Sequence, residues 1–196
     1  MNIVVIGNAD ILEEHGEFID SCDIVFRFNR AVTSGYEEYK GTKTTHMGIV
    51  NEGRIAMNHT LQKVDRRVVK RAGEIWFPRP KVNKEYEKKL MQCCGKRFNF
   101  VYRKKEWHDE LRKILRCDDL KKHACQPSTG VTIIYMIMKL IKYDNLYITG
   151  FDSFKTVHYW EKKKREEEIK YHNSGAEAEY INYLVSIGSV KMLSYR

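Results

Sequence analysis

Near its start the chain carries Ile3-Val4-Val5-Ile6, four aliphatic residues in succession, closed by Gly7-Asn8. A strand sends alternate side chains to opposite faces of a sheet, so a run that is apolar at every position must be covered on both sides. That requirement points to a buried parallel strand with helices above and below it. Similar short runs recur at 23–29, 47–50, 74–78 (closed by Pro78), 98–102 and 146–149, and each reads as a strand. Helical patterns fill the intervals: residues 11–19, one or two helices over 53–71, amphipathic helices within 81–122, the apolar run 131–140, and a last helix containing Tyr180-Ile181-Asn182-Tyr183-Leu184. Alternation of this kind predicts an α/β sheet. A length of 196 residues without repeat, low-complexity tract or linker predicts one domain over 1–196.

Charge and cysteines narrow the partners. Lys and Arg number 35 against 26 Asp and Glu, a formal charge of +9. This excess suits either an anionic partner (nucleotide, nucleic acid, acidic lipid or glycan) or a well-solvated surface. The basic residues are not interleaved with a recognisable aromatic motif, which argues against nucleic acid. Arg66, Arg67, Lys70, Lys104 and Lys105 are candidates for loose peripheral contact with an anionic membrane. The five cysteines show neither metal-ligand spacing nor a disulfide framework, and a reducing cytoplasm is the expected setting. No apolar run is long enough to span a bilayer, and neither signal peptide nor anchor is expected.

The chemistry concentrates between Pro127 and Glu177. Pro127-Ser128-Thr129-Gly130 leads directly into the apolar run. Ser128 or Thr129 can cap the first amides of a helix, and Gly130 lets the backbone approach a bulky group, as when a first turn lies against a ligand. Leu146-Tyr147-Ile148-Thr149 ends in Gly150-Phe151-Asp152, and open α/β sheets bind ligands beyond such strand ends. His158-Tyr159-Trp160-Glu161 follows, then His172. Ser174-Gly175-Ala176-Glu177 reads as a capping box, which sets His172 just outside a helix amino terminus. The partial positive charge there disfavours imidazolium, the condition a general base needs. Glu177 reads either as a cap or as a catalytic group. Gly7-Asn8-Ala9 is either a nucleotide loop or a plain turn, and Asn29 is either a turn residue or a ligand contact.

In their order these segments resemble the eukaryotic-type sialyltransferases, glycosyltransferase family 29, which has four sequence motifs. The large motif is similar to Val5-Ile6-Gly7-Asn8, Asp20, Phe26-Arg27-Phe28-Asn29-Arg30-Ala31 and Gly41-Thr42-Lys43-Thr44-Thr45-His46. The small motif is similar to Pro127-Ser128-Thr129-Gly130 through Tyr147-Ile148-Thr149-Gly150-Phe151. The third looks like His158-Tyr159-Trp160-Glu161, and the last, a His with a following Glu, is matched by His172 and Glu177. The basic middle of the chain has no clear counterpart. The disulfide of the animal members has no cysteines here, and Gln126 stands where the family usually has an aromatic residue.

The resemblance implies a three-layer α/β/α sandwich with a mostly parallel central sheet, a Rossmann-like nucleotide-binding variant of the GT-A type. It implies an inverting, metal-independent transfer of sialic acid from a CMP-activated donor to a glycan or lipid-linked glycan, with no further cofactor. Asn8 and Asn29 would hold nucleotide and phosphate; Ser128, Thr129 and Gly130 would contact ribose and cytidine. Gly7, Gly150, Phe151, Tyr159 and Trp160 would complete the donor site. His158 would hydrogen-bond the departing phosphate, and His172 would take the acceptor proton. The chain has no Asp-x-Asp pair, the usual metal holder for sugar diphosphates. A compact form of this kind looks microbial or viral. CMP-Kdo presents the same carboxylate and leaving group and is the alternative donor. A non-catalytic nucleotide- or nucleic-acid-binding protein is the alternative class.

Overall fold

The computed structural model describes residues 1–10, 13–52, 65–118, 125–161 and 172–193. Among these, seven strands form a single sheet: β1 (Asn2–Ile6), β2 (Ile24–Phe28), β3 (His46–Gly48), β4 (Glu74–Phe77), β5 (Asn99–Tyr102), β6 (Asn145–Thr149) and β7 (Lys191–Met192). Their order is β5-β4-β3-β2-β1-β6-β7, and every pair is parallel, so the sheet is wholly rather than mostly parallel. The helices are α1 (Gly16–Ser21), α2 (Glu37–Lys40), α3 (Arg66–Arg71), α4 (Lys84–Cys94), α5 (Lys105–Ile114), α6 (Thr129–Leu140) and α7 (Ser174–Ser186).

Strand β1 bears out the two-faced requirement. Ile3 and Val5 join Phe26, Phe28, Trp76 and Ile148 against α5, α6 and α7. Val4 and Ile6 point the other way, with Val25, toward Ile19 of α1. On that second face Met47, Ile75 and Phe77 pack under Val68 and Val69 of α3 and Tyr86 and Leu90 of α4. Three layers result, with all four side chains of Ile3-Val4-Val5-Ile6 at most 1% exposed. Helix α6 is buried over Val131–Ile137, which is why its sequence is apolar on every side.

The motif residues between β2 and β3 are wired to one another. Arg27, 1% exposed, donates to the carbonyls of Lys40, Gly41 and Lys43 and to the Thr44 hydroxyl. Asp20 accepts from the amides of Thr42 and Lys43, both at 2.8 Å. Gly41 is at φ +62, and a Cβ there would lie 2.4 Å from Asp20 Oδ1.

Two expectations change, and a third lies partly outside the described residues. The helix expected over 11–19 begins at Gly16 within the described residues, where a Cβ would sit 2.1 Å from the Glu37 carbonyl oxygen, so only glycine lets α1 meet α2 there. Of the helices expected over 53–71, residues 53–64 lie outside the described residues and α3 accounts for the rest. The last helix is capped by Asn173, whose Oδ1 accepts from the Ala176 amide, and not by Ser174.

Candidate active site at the switch point of the sheet

From β1 the chain leaves toward β2, and from β6 it leaves toward β7 on the opposite side. The carboxyl ends of β1 and β6 therefore bracket the switch point, where such sheets place ligands. Here the two loops touch. A Cβ on Gly7 would lie 2.1 Å from the Gly150 carbonyl oxygen, and one on Gly150, at φ +71, would lie 2.5 Å from the Gly7 oxygen. Gly7 donates its amide to Thr149 O and Ala9 donates to Gly150 O. Both glycines are required by backbone contact.

Phe151 is the wedge that joins this loop pair to α6. Its ring packs edge-on to Phe28, lies against Gly7, and occupies the space over Gly130, where a Cβ would be 2.6 Å from the ring. The bulky neighbour that Gly130 accommodates is thus Phe151 itself. Ser128 is the N-cap of α6, its Oγ accepting from the Val131 amide at 3.3 Å, and Thr129 is the first helical residue.

Asn8 and Asn29 stand on the same carboxyl rim, after β1 and β2. Asn8 Nδ2 is 3.5 Å from the Phe28 carbonyl. Asn29 holds a turn at φ 47, donating its amide to Gly48 O and accepting the Val50 amide on Oδ1 at 3.0 Å. The third motif folds back over this rim. Ala9 and His158 form an antiparallel bridge, and Tyr159 donates its amide to Asn8 O at 3.1 Å. His158 directs Nδ1 at the Glu161 carboxylate, 3.1 Å away, and stacks on Trp160. Tyr159 is turned inward: it is 6% exposed, its hydroxyl donates to Val32 O, and its ring meets Tyr36. The Trp160 indole N–H is buried without a hydrogen-bond partner among the described residues, and Arg30 lies over the ring at 5.8 Å.

His172 reaches the small motif from the other side. Its Nδ1 is 2.6 Å from the Gln126 carbonyl oxygen, and its ring stacks on Phe154 at 5.0 Å. A carbonyl only accepts, so Nδ1 carries the proton and the lone pair of the neutral ring is on Nε2. Glu177 does not cap its own helix. Its Oε1 accepts the Ser128 amide at 2.7 Å, supplying from α7 the carboxylate half of a capping box for α6. Burial pushes the Glu177 carboxyl up to about 7, against the opposing pull of its Ser128 hydrogen bonds and the Arg79 charge. Sequence reasoning missed Gln126 as the anchor of His172, and only its place immediately before Pro127 hinted at it. Among the described residues no group of three or more His, Cys, Asp or Glu side chains could hold a metal ion.

A doubly wound parallel sheet with its crevice at a switch point, overhung by two oriented histidines, is an architecture of nucleotide-handling α/β proteins. Comparison with known sequences makes this specific. The profile of glycosyltransferase family 29 (sialyltransferase) matches residues 2–189, and the chain belongs to that family. The CMP-N-acetylneuraminate-beta-galactosamide-alpha-2,3-sialyltransferase 1 of Gallus gallus is 31% identical over 173 residues, covering 80% of this chain and 46% of that protein. Its Homo sapiens counterpart is 26% identical, covering 98% of this chain and 58% of that protein. The chain therefore spans about half the length of these curated relatives. Two solved structures share the fold. A mammalian sialyltransferase in complex with Gal-beta-1-3GalNAc-ortho-nitrophenol aligns with a TM-score of 0.58 and 21% identity, over 100% of this chain and 70% of that one. The Campylobacter jejuni sialyltransferase CstII in complex with cytidine-5'-monophosphate aligns with a TM-score of 0.58 and 14% identity, over 97% and 78%.

Proposed function

We propose that the chain transfers sialic acid from CMP-sialic acid to a glycan hydroxyl, with inversion at the anomeric carbon. The acceptor oxygen forms its bond to that carbon as the bond to the CMP phosphate breaks. The hydroxyl proton passes to His172 Nε2, and the departing phosphate is met by His158 and the amides of the switch-point loops. The observation that carries this reading is the bond from His172 Nδ1 to the Gln126 carbonyl, which sets the tautomer a base requires, in a chain of the sialyltransferase family. General base catalysis contributes about a hundred- to ten-thousandfold, and placed donors to a leaving group about a hundred- to thousandfold. The names of the relatives make a terminal β-galactoside the first acceptor to try, with an α-2,3 linkage expected.

The test is CMP release and sugar transfer from CMP-sialic acid, with CMP-Kdo in parallel and with EDTA present. Transfer from CMP-sialic acid that survives chelation is expected. Preference for CMP-Kdo would reassign the donor, and loss of activity restored by divalent cations would overturn the metal-independent chemistry. His172→Ala should lower turnover by about two to four orders of magnitude while CMP affinity stays close to wild type. His158→Ala should weaken CMP binding as well, since the phosphate is already present in the ground state. Transfer at the wild-type rate by His172→Ala would end the assignment of the base.

A further inference from the structure

Three arginines from the basic middle of the chain converge on the segment that leads into α6 and on the first turn of α6 itself. Arg112 Nη1 donates to the Cys125 carbonyl, Arg79 Nη1 to Oε1 of Gln126 at 3.1 Å, and Arg103 Nη1 to the Thr132 hydroxyl at 3.3 Å. Arg103 is 1% exposed; its Nη2 bonds His108 Nδ1, and its buried Nε–H has no hydrogen-bond partner among the described residues. His108 cannot serve as a counter-charge, because burial and the three arginines push it down to about 4 and keep it neutral. Arg112 is paired with Asp118. Among the described residues, neither Arg79 nor Arg103 has a carboxylate in ion-pair contact.

Two guanidiniums held this way are out of balance. Burial, followed by the Arg79 charge, brings Arg103 down to about 9. Cations removed from water are tolerated when an anion accompanies them. Glu52 and, more weakly, Glu177 act on Arg79, and Asp109 acts on Arg103, but none of them is within ion-pair distance, and Glu177 is itself pushed up to about 7. Arginine is also the side chain whose planar fork matches carboxylate and phosphate oxygens.

We infer that Arg79, with Arg112 beside it and the charge of the buried Arg103 behind it, forms a subsite for a carboxylate or phosphate group of a substrate. Gln126 couples this subsite to the base: its side chain accepts from Arg79, and its carbonyl accepts from His172. The inference rests on the proposed sialyl transfer for its substrates. The anion is either an acidic group of the acceptor glycan or the carboxylate of the donor sugar.

Calorimetry distinguishes the sources. Wild type and Arg79→Gln are titrated with CMP, with a non-transferable CMP-sialic acid analogue, and, at saturating CMP, with a galactoside ending in glucuronic acid and its neutral glucose counterpart. For an acceptor anion, the acidic glycoside binds wild type about ten- to a hundredfold more tightly than the neutral one, and Arg79→Gln removes the difference. For a donor carboxylate, Arg79→Gln weakens the analogue by that factor relative to CMP. Equal affinities for the two glycosides in wild type, with no change at any ligand in Arg79→Gln, would overturn the subsite. If Arg79→Gln fails to fold, Arg112→Gln, whose side chain is 20% exposed, and the wild-type acid-to-neutral ratio carry the same decision. A wild-type protein that does not bind CMP would instead sink the proposed function, with the glycoside pair, titrated without CMP, still deciding the subsite.

Discussion

Gly7 and Glu177 show how single positions set the site. A methyl group on Gly7 meets a backbone oxygen that has no rotamer to escape to, so Gly7→Ala should cost at least about 1–3 kcal/mol, read as a lower midpoint in urea. Gly130→Ala meets a Phe151 ring carbon at 2.6 Å, a less severe overlap than the backbone oxygen at 2.1 Å, and should cost less. Glu177 adds a pH dependence whose direction is fixed. Its carboxyl titrates near 4.5 when unfolded and at about 7 when folded, so between these values the folded chain holds a proton that the unfolded chain has released. Stability from this group therefore falls as pH rises from about 4.5 to about 7, then levels off, a difference of about 3 kcal/mol. Glu177→Gln retains an acceptor for the Ser128 amide and should flatten that part of the curve in thermal melts recorded against pH. An unchanged slope would show that Glu177 is solvated.

Helix ends separate what was legible in the sequence from what was not. The two adjacent residues Asn173 and Ser174 are both good caps, and no local pattern chooses between them. The structure chooses Asn173, whose Nδ2 also bonds the Leu115 carbonyl 58 residues away. Asn173→Ala should therefore destabilise by about 1 kcal/mol, whereas Ser174→Ala should change stability by less than about 0.5 kcal/mol, as measured by chemical denaturation. Strands β1 to β4 and β6 were readable because burial leaves a run of largely apolar residues, and β5, half-buried at the sheet edge, because Phe100-Val101-Tyr102 is aromatic and β-branched. Strand β7 was missed because Lys191 and Met192 are exposed and too few to form a pattern. The order of the motifs identified the family, but the wiring within them was hidden. Arg27 and Asp20 act through partners up to 23 residues away, and Glu177 acts through one 49 residues away. Such bonds follow from topology and leave no periodicity behind.

On the scale of the whole molecule, the basic residues do not form one surface. Arg66, Arg67 and Lys70 lie on α3, over the sheet face that carries Ile75 and Phe77. Lys104 and Lys105 begin α5 on the opposite face, with Lys104 over the Trp107 ring. We propose that any membrane contact would use one side, and the α3 side is the better candidate because Lys96 bonds the Lys70 carbonyl and adds its charge there. Binding to anionic vesicles should weaken steeply above 0.1 M salt, where screening acts over about 10 Å, and should fall in Arg66→Gln/Arg67→Gln but not in Lys104→Gln/Lys105→Gln. Salt-insensitive binding would point to apolar insertion instead. The strand order carries a further consequence, for synthesis. β1 is central, yet one of its two neighbours, β6, begins 143 residues later, where Asn145 bonds Asn2. At about 5–20 residues per second, a ribosome leaves one edge of the most apolar strand unpaired for roughly 7 to 30 s. A bare apolar edge is a template for mispairing, so the soluble yield of this chain should depend on how fast its middle is translated and on which chaperones wait at the exit tunnel.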